Sequence, residues 1–226
     1  MGCDIHLFVE VKKNDKWCYH PVEETCRTGE FWDEDKKQPM TDYDKLFAHP
    51  LHVDRNYDLF SILANVRNGY GFAGCLTGMG FHPIASPRGV PKNASREYLE
   101  QVAGWGADGH SHSYLTLHEL QMFDWDQKTK KIGYVDEKEF KTYLEQGRPE
   151  SWSGDVGGSA VRRISEEEMK KRVENPQPSD GKSYFCQIKW EIKYRDHCQR
   201  FLNETLPALV QLGSPEDVRI VFFFDN

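Results

Sequence analysis

No stretch of this 226-residue chain is apolar for long enough to cross a bilayer, and the longest run, Ile220 to Phe224, is only strand-sized. The six cysteines, Cys3, Cys18, Cys26, Cys75, Cys186 and Cys198, include no Cys-x-x-Cys pair and follow no secretory leader. That argues against a disulfide framework and for reduced thiols in a cytoplasmic protein. Positive charge is in deficit: 29 Lys and Arg face 36 Asp and Glu, a formal net charge of −7. The bulk field then repels a nucleic-acid backbone, so large DNA or RNA partners are not expected, nor is a membrane. A small phosphorylated ligand stays compatible, because a local arginine pocket works inside an acidic surface. Also missing are the Gly-Lys-Ser/Thr end of a phosphate loop, a Gly-x-Ser-x-Gly elbow, a His-Glu-x-x-His zinc helix and EF-hand spacing. Gly2 follows Met1, but His6 stands where a myristoylation signal requires Ser or Thr.

What is present is aromatic and loop-rich. Hydrophobic residues make up 38% of the chain and aromatics 13%, with 18 glycines and 11 prolines, which suits a core of large side chains carrying long irregular loops. Cys3, Ile5, Leu7, Val9 and Val11 alternate with polar residues as a period-two strand. Lys13-Asn14-Asp15 then turns it into a second strand over 17–22. The unpatterned polar stretch over 23–50, which includes His49, reads as a long loop.

Helices are expected over 56–67, from Ser95 to Gly104, after the Thr116/Glu119 and Asp136/Glu139 capping pairs, and after Ser165/Glu168. Residues 125–135 read as a hairpin turning at Lys128-Thr129-Lys130. The C-terminal part reads as a strand over 184–192, a helix over 196–212 and a strand over 218–224. The expected architecture is a single α+β domain over 1–226. One mixed β-sheet comes mainly from the two ends (about 1–22 and 183–226), and a loop-rich helical middle (23–182) is inserted between them.

Two constellations could carry chemistry. If the first and last strands pair antiparallel, Asp225 falls near Asp4 and His6 at one sheet corner. The segment Trp105-Gly106-Ala107-Asp108-Gly109-His110-Ser111-His112-Ser113 could add Asp108, His110 and His112. Such a set is a hydrogen-bonded network fastening loops to the sheet, a divalent-metal site with Asp4, His6 and Asp225 as ligands, or an acid–base or ligand-contacting site. No motif requires a cofactor. The second constellation is Arg67-Asn68-Gly69-Tyr70-Gly71-Phe72 with Arg88. Guanidinium groups, glycine-exposed amides and aromatic rings suit an anion attached to a flat ring, as in a nucleotide. Surface arginines on a long glycine loop are the plainer reading.

The opening Met1-Gly2-Cys3-Asp4-Ile5-His6, the segment Arg67 to Phe72, Trp105 to Ser113 and Val218 to Asn226 together resemble a protein family common in bacteriophage genomes, over nearly the whole chain. No activity, cofactor or catalytic residue comes with that resemblance. It implies a context, the cytosol of an infected cell. There, small phage proteins with polar, aromatic-lined pockets include those that disarm host nucleotide signalling by sequestering or cleaving the signal.

The leading expectation is therefore an anti-defence protein that sequesters a small phosphorylated nucleotide-like ligand, such as a cyclic nucleotide or ADP-ribose derivative. Arg67 and Arg88 would meet phosphate with Asn68 and Gly69 beside them, Tyr70, Phe72 or Trp105 would stack on a base, and Asp108, His110 and His112 would complete the pocket. The competing expectation is a phosphodiesterase or hydrolase using His6, His110 or His112, with or without a metal. The third is a protein-interaction module. Oligomeric state is left open.

Overall fold

The computed structural model describes residues 2–20, 32–33, 38–39, 51–52 and 54–225. Most of the expected 23–50 loop, His49 included, lies outside these. Within that loop the short strands β3 (Trp32–Asp33) and β4 (Gln38–Pro39) pair antiparallel. The chain is α+β and divides into two compact units. Unit one comprises residues 1–2, 56–83 and 124–198, and unit two residues 3–55, 84–123 and 199–226. None of the described cysteines forms a disulfide. Among the described residues no helix is long and apolar enough to cross a membrane.

Unit two is built on a four-stranded sheet in the order β2-β1-β9-β5, from β1 (Ile5–Lys13), β2 (Lys16–Tyr19), β5 (His110–Thr116) and β9 (Val218–Phe224). All its pairings are antiparallel. Asn14 and Asp15, both at positive φ, make the tight turn from β1 to β2, a conformation these two residue types tolerate best after glycine. β9 lies between β1 and β5 and is buried from end to end. Val218, Ile220, Phe222 and Phe224 line one face, and Arg219, Val221 and Phe223 the other.

On the second face Phe8, Val221 and Phe223 pack against Tyr98 of α2 (Arg96–Trp105), which Ser95 caps. A buried ion pair closes one end of that face. The Arg219 guanidinium donates to Glu10 at 2.6 Å and to Asn93 at 3.1 Å, and lies 4.1 Å from the Trp17 ring centroid. α3 (Leu117–Met122) starts at the expected Thr116/Glu119 capping box.

Unit one holds a separate three-stranded sheet, β6-β8-β7, made of β6 (Lys128–Val135), β7 (Val161–Ile164) and β8 (Ser183–Lys193). β6 and β8 are antiparallel, β7 and β8 parallel. This corrects the single-sheet expectation: the strand over 184–192 does not join the terminal strands but is the centre of a second sheet. The expected 125–135 hairpin is also corrected. Lys128-Thr129-Lys130 lacks glycine, asparagine or proline to reverse the chain and runs straight into β6, paired along its whole length with β8.

The unit's helices are α1 (Tyr57–Ala64), α4 (Glu137–Gln146) and α5 (Glu166–Glu174), capped by Asn56, Asp136 and Ser165. α1 ends at Asn65 in the left-handed conformation, three residues before the expected Asn68-Gly69 stop. The helix expected over 196–212 is present over 199–210. A 3-10 turn spans Tyr194–His197, and from residue 199 in unit two the chain is continuously helical, with a π-helical turn over Phe201–Thr205 followed by α6 (Leu206–Val210). Pro207 has no N–H to give the carbonyl four residues back, which is a common cause of such a shift in hydrogen bonding.

Candidate functional site

The antiparallel register of β1 and β9 places His6 opposite Phe223 and brings Asp225 to Asp4. The Asp225 N–H donates to the Asp4 carbonyl at 3.2 Å. The Asp4 N–H in return donates to Asp225 Oδ1 at 2.9 Å, and His6 Nε2 sits 3.0 Å from Asp225 Oδ2. An ionised carboxylate only accepts, so neutral His6 carries its proton on Nε2 and presents a lone pair at Nδ1. Among the described residues no hydrogen bond holds that Nδ1. The imidazole is stacked on Phe223 (centroids 4.7 Å apart, planes at 13°) and tilted against Trp105 (4.4 Å), which is 37% exposed at the end of α2. The ring is fixed by its neighbours yet keeps 24% of its side-chain surface in solvent.

Asp4 itself faces Arg55, whose Nε donates at 2.7 Å and whose Nη2 donates to the other oxygen. Those hydrogen bonds hold its carboxyl below the usual carboxylate value. With both Asp4 oxygens directed at a guanidinium, the Asp4, His6 and Asp225 donors do not fit a metal. Among the described residues no group of three His, Cys, Asp or Glu side chains converges as an ion would require.

The two histidines of β5 part company. His110 pairs with Phe224 and Ser113 with Phe222, so Ser111 and His112 together oppose Phe223. This is a β-bulge with Ser111 at φ +52. In a regular strand residues 110 and 112 would share a face. The extra residue instead puts His112 beside Phe223 (5.2 Å), on the side of His6, and leaves His110 stacked on Phe224 (6.1 Å) on the opposite face. His112 Nδ1 lies 3.5 Å from the Tyr98 hydroxyl, which donates to the Phe222 carbonyl, and burial lowers the His112 pKa. His110 Nδ1 is 2.9 Å from Ser111 Oγ, while its Nε2 is buried without a hydrogen-bond partner. Asp108 stays exposed in the 3-10 turn Gly106–Asp108.

The arginine and glycine residues fall in both units. In unit two Arg88 is committed: its guanidinium makes a two-pronged pair with Glu119 (2.5 and 3.1 Å) and donates to the Tyr114 carbonyl. In unit one the loop after α1 spends its polar groups on itself. Asn68 donates to the Phe81 carbonyl at 2.8 Å and accepts from the Phe81 N–H at 2.6 Å. The Thr77 N–H donates to the Gly69 carbonyl, and a Cβ on Gly69 would stand 2.9 Å from the Gly78 oxygen. The Arg67 guanidinium lies 5.3 Å from the Tyr57 ring centroid. Tyr70 and Phe72 are exposed.

One cluster in unit one escaped sequence reasoning. Asp58, in the first turn of α1, accepts from buried Lys131 of β6 at 2.7 and 3.0 Å and from His197 Nδ1 at 2.6 Å. The ammonium also lies 5.2 Å from the Trp152 ring centroid and 5.7 Å from that of Phe81. Burial pushes the Asp58 carboxyl up, but the hydrogen bond from His197 and the charge and hydrogen bond of Lys131 outweigh it and hold it below its usual value. Its partners lie 73 and 139 residues from Asp58 along the chain, beyond the reach of local spacing.

Comparison with models of known families, with curated proteins and with solved structures gives no match.

Proposed function

We propose that unit two carries a hydrolase site for a small phosphorylated nucleotide-like molecule, with His6 as its acid–base group. The observation that carries this reading is the carboxylate-oriented imidazole: Asp225 fixes the ring through Nε2, and Nδ1, which no hydrogen bond among the described residues holds, is left as a basic atom at a part-open corner. In the proposed step Nδ1 takes a proton from water as the water oxygen attacks phosphorus. The phosphorus–oxygen bond to the leaving group breaks, and the imidazolium returns the proton to the departing oxygen. Asp225 offsets the charge on the transient imidazolium, and Arg55 offsets that of Asp4, so the corner does not present two bare carboxylates to an anionic substrate. The half-open Trp105 ring supplies a surface on which a base can stack. Sequestration by Arg67 and Arg88 has less support, since Arg88 is already paired with Glu119.

The test is to incubate the purified protein with a panel of cyclic dinucleotides and ADP-ribose derivatives, denature it and chromatograph what is released. New products that disappear with His6→Ala support the hydrolase. Full recovery of a depleted ligand would establish sequestration instead, and no depletion at all would favour an interaction module.

A further inference from the structure

The formal charge of −7 is not spread over the molecule. Unit one contains sixteen acidic and sixteen basic side chains and is neutral, so the whole excess of negative charge belongs to unit two. Within unit one the acids gather on the helices, where Glu137, Glu139, Glu166, Glu167 and Glu168 occupy the first turns of α4 and α5. The sheet shows the opposite bias.

β8 alternates strictly from Cys186 onward. Cys186, Ile188, Trp190 and Ile192 are buried, and Gln187, Lys189, Glu191 and Lys193 are exposed. The register of β6 sets Lys128 opposite Lys193, Lys130 opposite Glu191 and Tyr134 opposite Gln187 on that exposed face. Phe185 belongs to the same face, next to Arg163 of β7. Lys128 pairs with Glu191 at 2.7 Å and Lys193 with Asp126 at 2.9 Å, whereas Lys130 and Lys189 have no anionic partner among the described residues. With Lys128 held by Glu191 and Lys193 by Asp126, Lys130 and Lys189 are left, among the described residues, as two unpaired positive charges on this face, where Ile132, opposite Lys189, is buried.

Tyr134 and Phe185, half-buried, add ring surface to it. Same-face residues along a strand repeat at about 6.6 Å, which matches the reach of an extended chain carrying one charge per unit. Lysines that track a backbone beside aromatic rings that accept planar groups are what single-stranded nucleic acids bind.

We infer that the exposed face of the β6-β8-β7 sheet, centred on Lys130, Lys189 and Tyr134, binds single-stranded nucleic acid. Such binding departs from the expectation, drawn from the net charge of the whole chain, that no large nucleic acid is bound. The inference stands apart from the proposed hydrolase, because no residue of the His6 corner takes part.

The test uses the full chain and fluorescein-labelled oligo(dT) and oligo(U) of about 20 nucleotides, longer than a module-sized site. Anisotropy is followed over a salt series, with phosphatidylserine vesicles and polyglutamate as alternative partners. Oligonucleotide affinity should fall as salt rises, with a logarithmic slope of about 0.7 per phosphate contact. Lys130→Glu with Lys189→Glu, both at exposed positions, should weaken binding roughly tenfold or more and flatten that slope. Tyr134→Ala should weaken it roughly fivefold. His6→Ala should bind as the parent does, which separates failure here from failure of the hydrolase reading. Absence of binding at low salt, binding unchanged by the double reversal, or capture of vesicles or polyglutamate without oligonucleotides would overturn the inference.

Discussion

Each unit holds a histidine against an aspartate, and the two pairs are set for different work. In unit one Asp58 lies between His197 and a lysine that is only 4% exposed, so the carboxylate has a full counter-charge and both of its oxygens are used. In unit two Asp225 receives, among the described residues, a backbone N–H and the imidazole, and the nearby Arg55 is directed at Asp4. The first carboxylate is offset by a buried ammonium, whereas among the described residues the second has no cationic side chain beside it other than the imidazole itself. The same two residue types thus make a fastening in one place and, in the function proposed above, an acid–base pair in the other.

The comparison breaks most visibly if the fastening is cut. Asp58→Ala leaves the Lys131 ammonium buried without its partner, and removal of one member of a buried ion pair costs about 3–5 kcal/mol. The denaturant midpoint, read by tryptophan fluorescence, should fall accordingly. A loss near zero would mean that the cluster does not hold unit one together. pH adds a second reading. Because the folded Asp58 carboxyl lies below its usual value, its stabilisation is complete above the ordinary carboxylate range and is lost as pH falls through the depressed value. Asp58→Asn should therefore show a shallower loss of stability on acidification than the parent.

The opposite profile is expected at the His6 corner. Asp225→Asn keeps the shape of the side chain but removes the charge, and His6→Ala removes the base. Each should lower turnover of the hydrolysed ligand by roughly 10²- to 10⁴-fold, the usual contribution of a positioned acid–base group. Stability should move by no more than about 1 kcal/mol, as is usual for part-exposed hydrogen bonds. A large loss of stability with unchanged turnover would make this pair a fastening like its counterpart.

How far these two sites could be read from sequence follows from where their partners lie. The pairing of β1 with β9, and with it the meeting of Asp4, His6 and Asp225, followed from one strand with period-two alternation, one strand-sized apolar run at the C-terminal end and an assumption about direction. The caps at Ser95, Thr116, Asp136 and Ser165 were legible because each is a contact three residues long. The Lys131 cluster was not. Lys128-Thr129-Lys130-Lys131 looks like a polar turn until β8 pairs with it and places Lys131 inward. Nor does the spacing of His110 and His112 reveal the bulge that parts them, or the sequence around Arg88 reveal Glu119, 31 residues on, as its partner.

The smallest expected effects test the backbone at Ser111, and a residue of unit one serves as its control. Ser111 and Ala73 both sit in the left-handed region, at φ +52 and +54, where a side chain costs roughly 1–2 kcal/mol relative to glycine. Ala73 has no side-chain hydrogen bond to lose, so Ala73→Gly should stabilise the protein by about 1 kcal/mol. Ser111 Oγ bonds to His110 Nδ1, and that contact is itself worth about 1 kcal/mol. Ser111→Gly should then come out near neutral, while Ser111→Ala, which keeps the strain and loses the bond, should destabilise by about 1 kcal/mol. Denaturation midpoints of the three variants decide the matter. If Ser111→Gly stabilised the protein as much as Ala73→Gly, the hydroxyl would contribute nothing to the bulge. If Ser111→Gly and Ser111→Ala fell together, it would be the hydroxyl, and not relief of backbone strain, that sets the stability of the turn separating the two histidines.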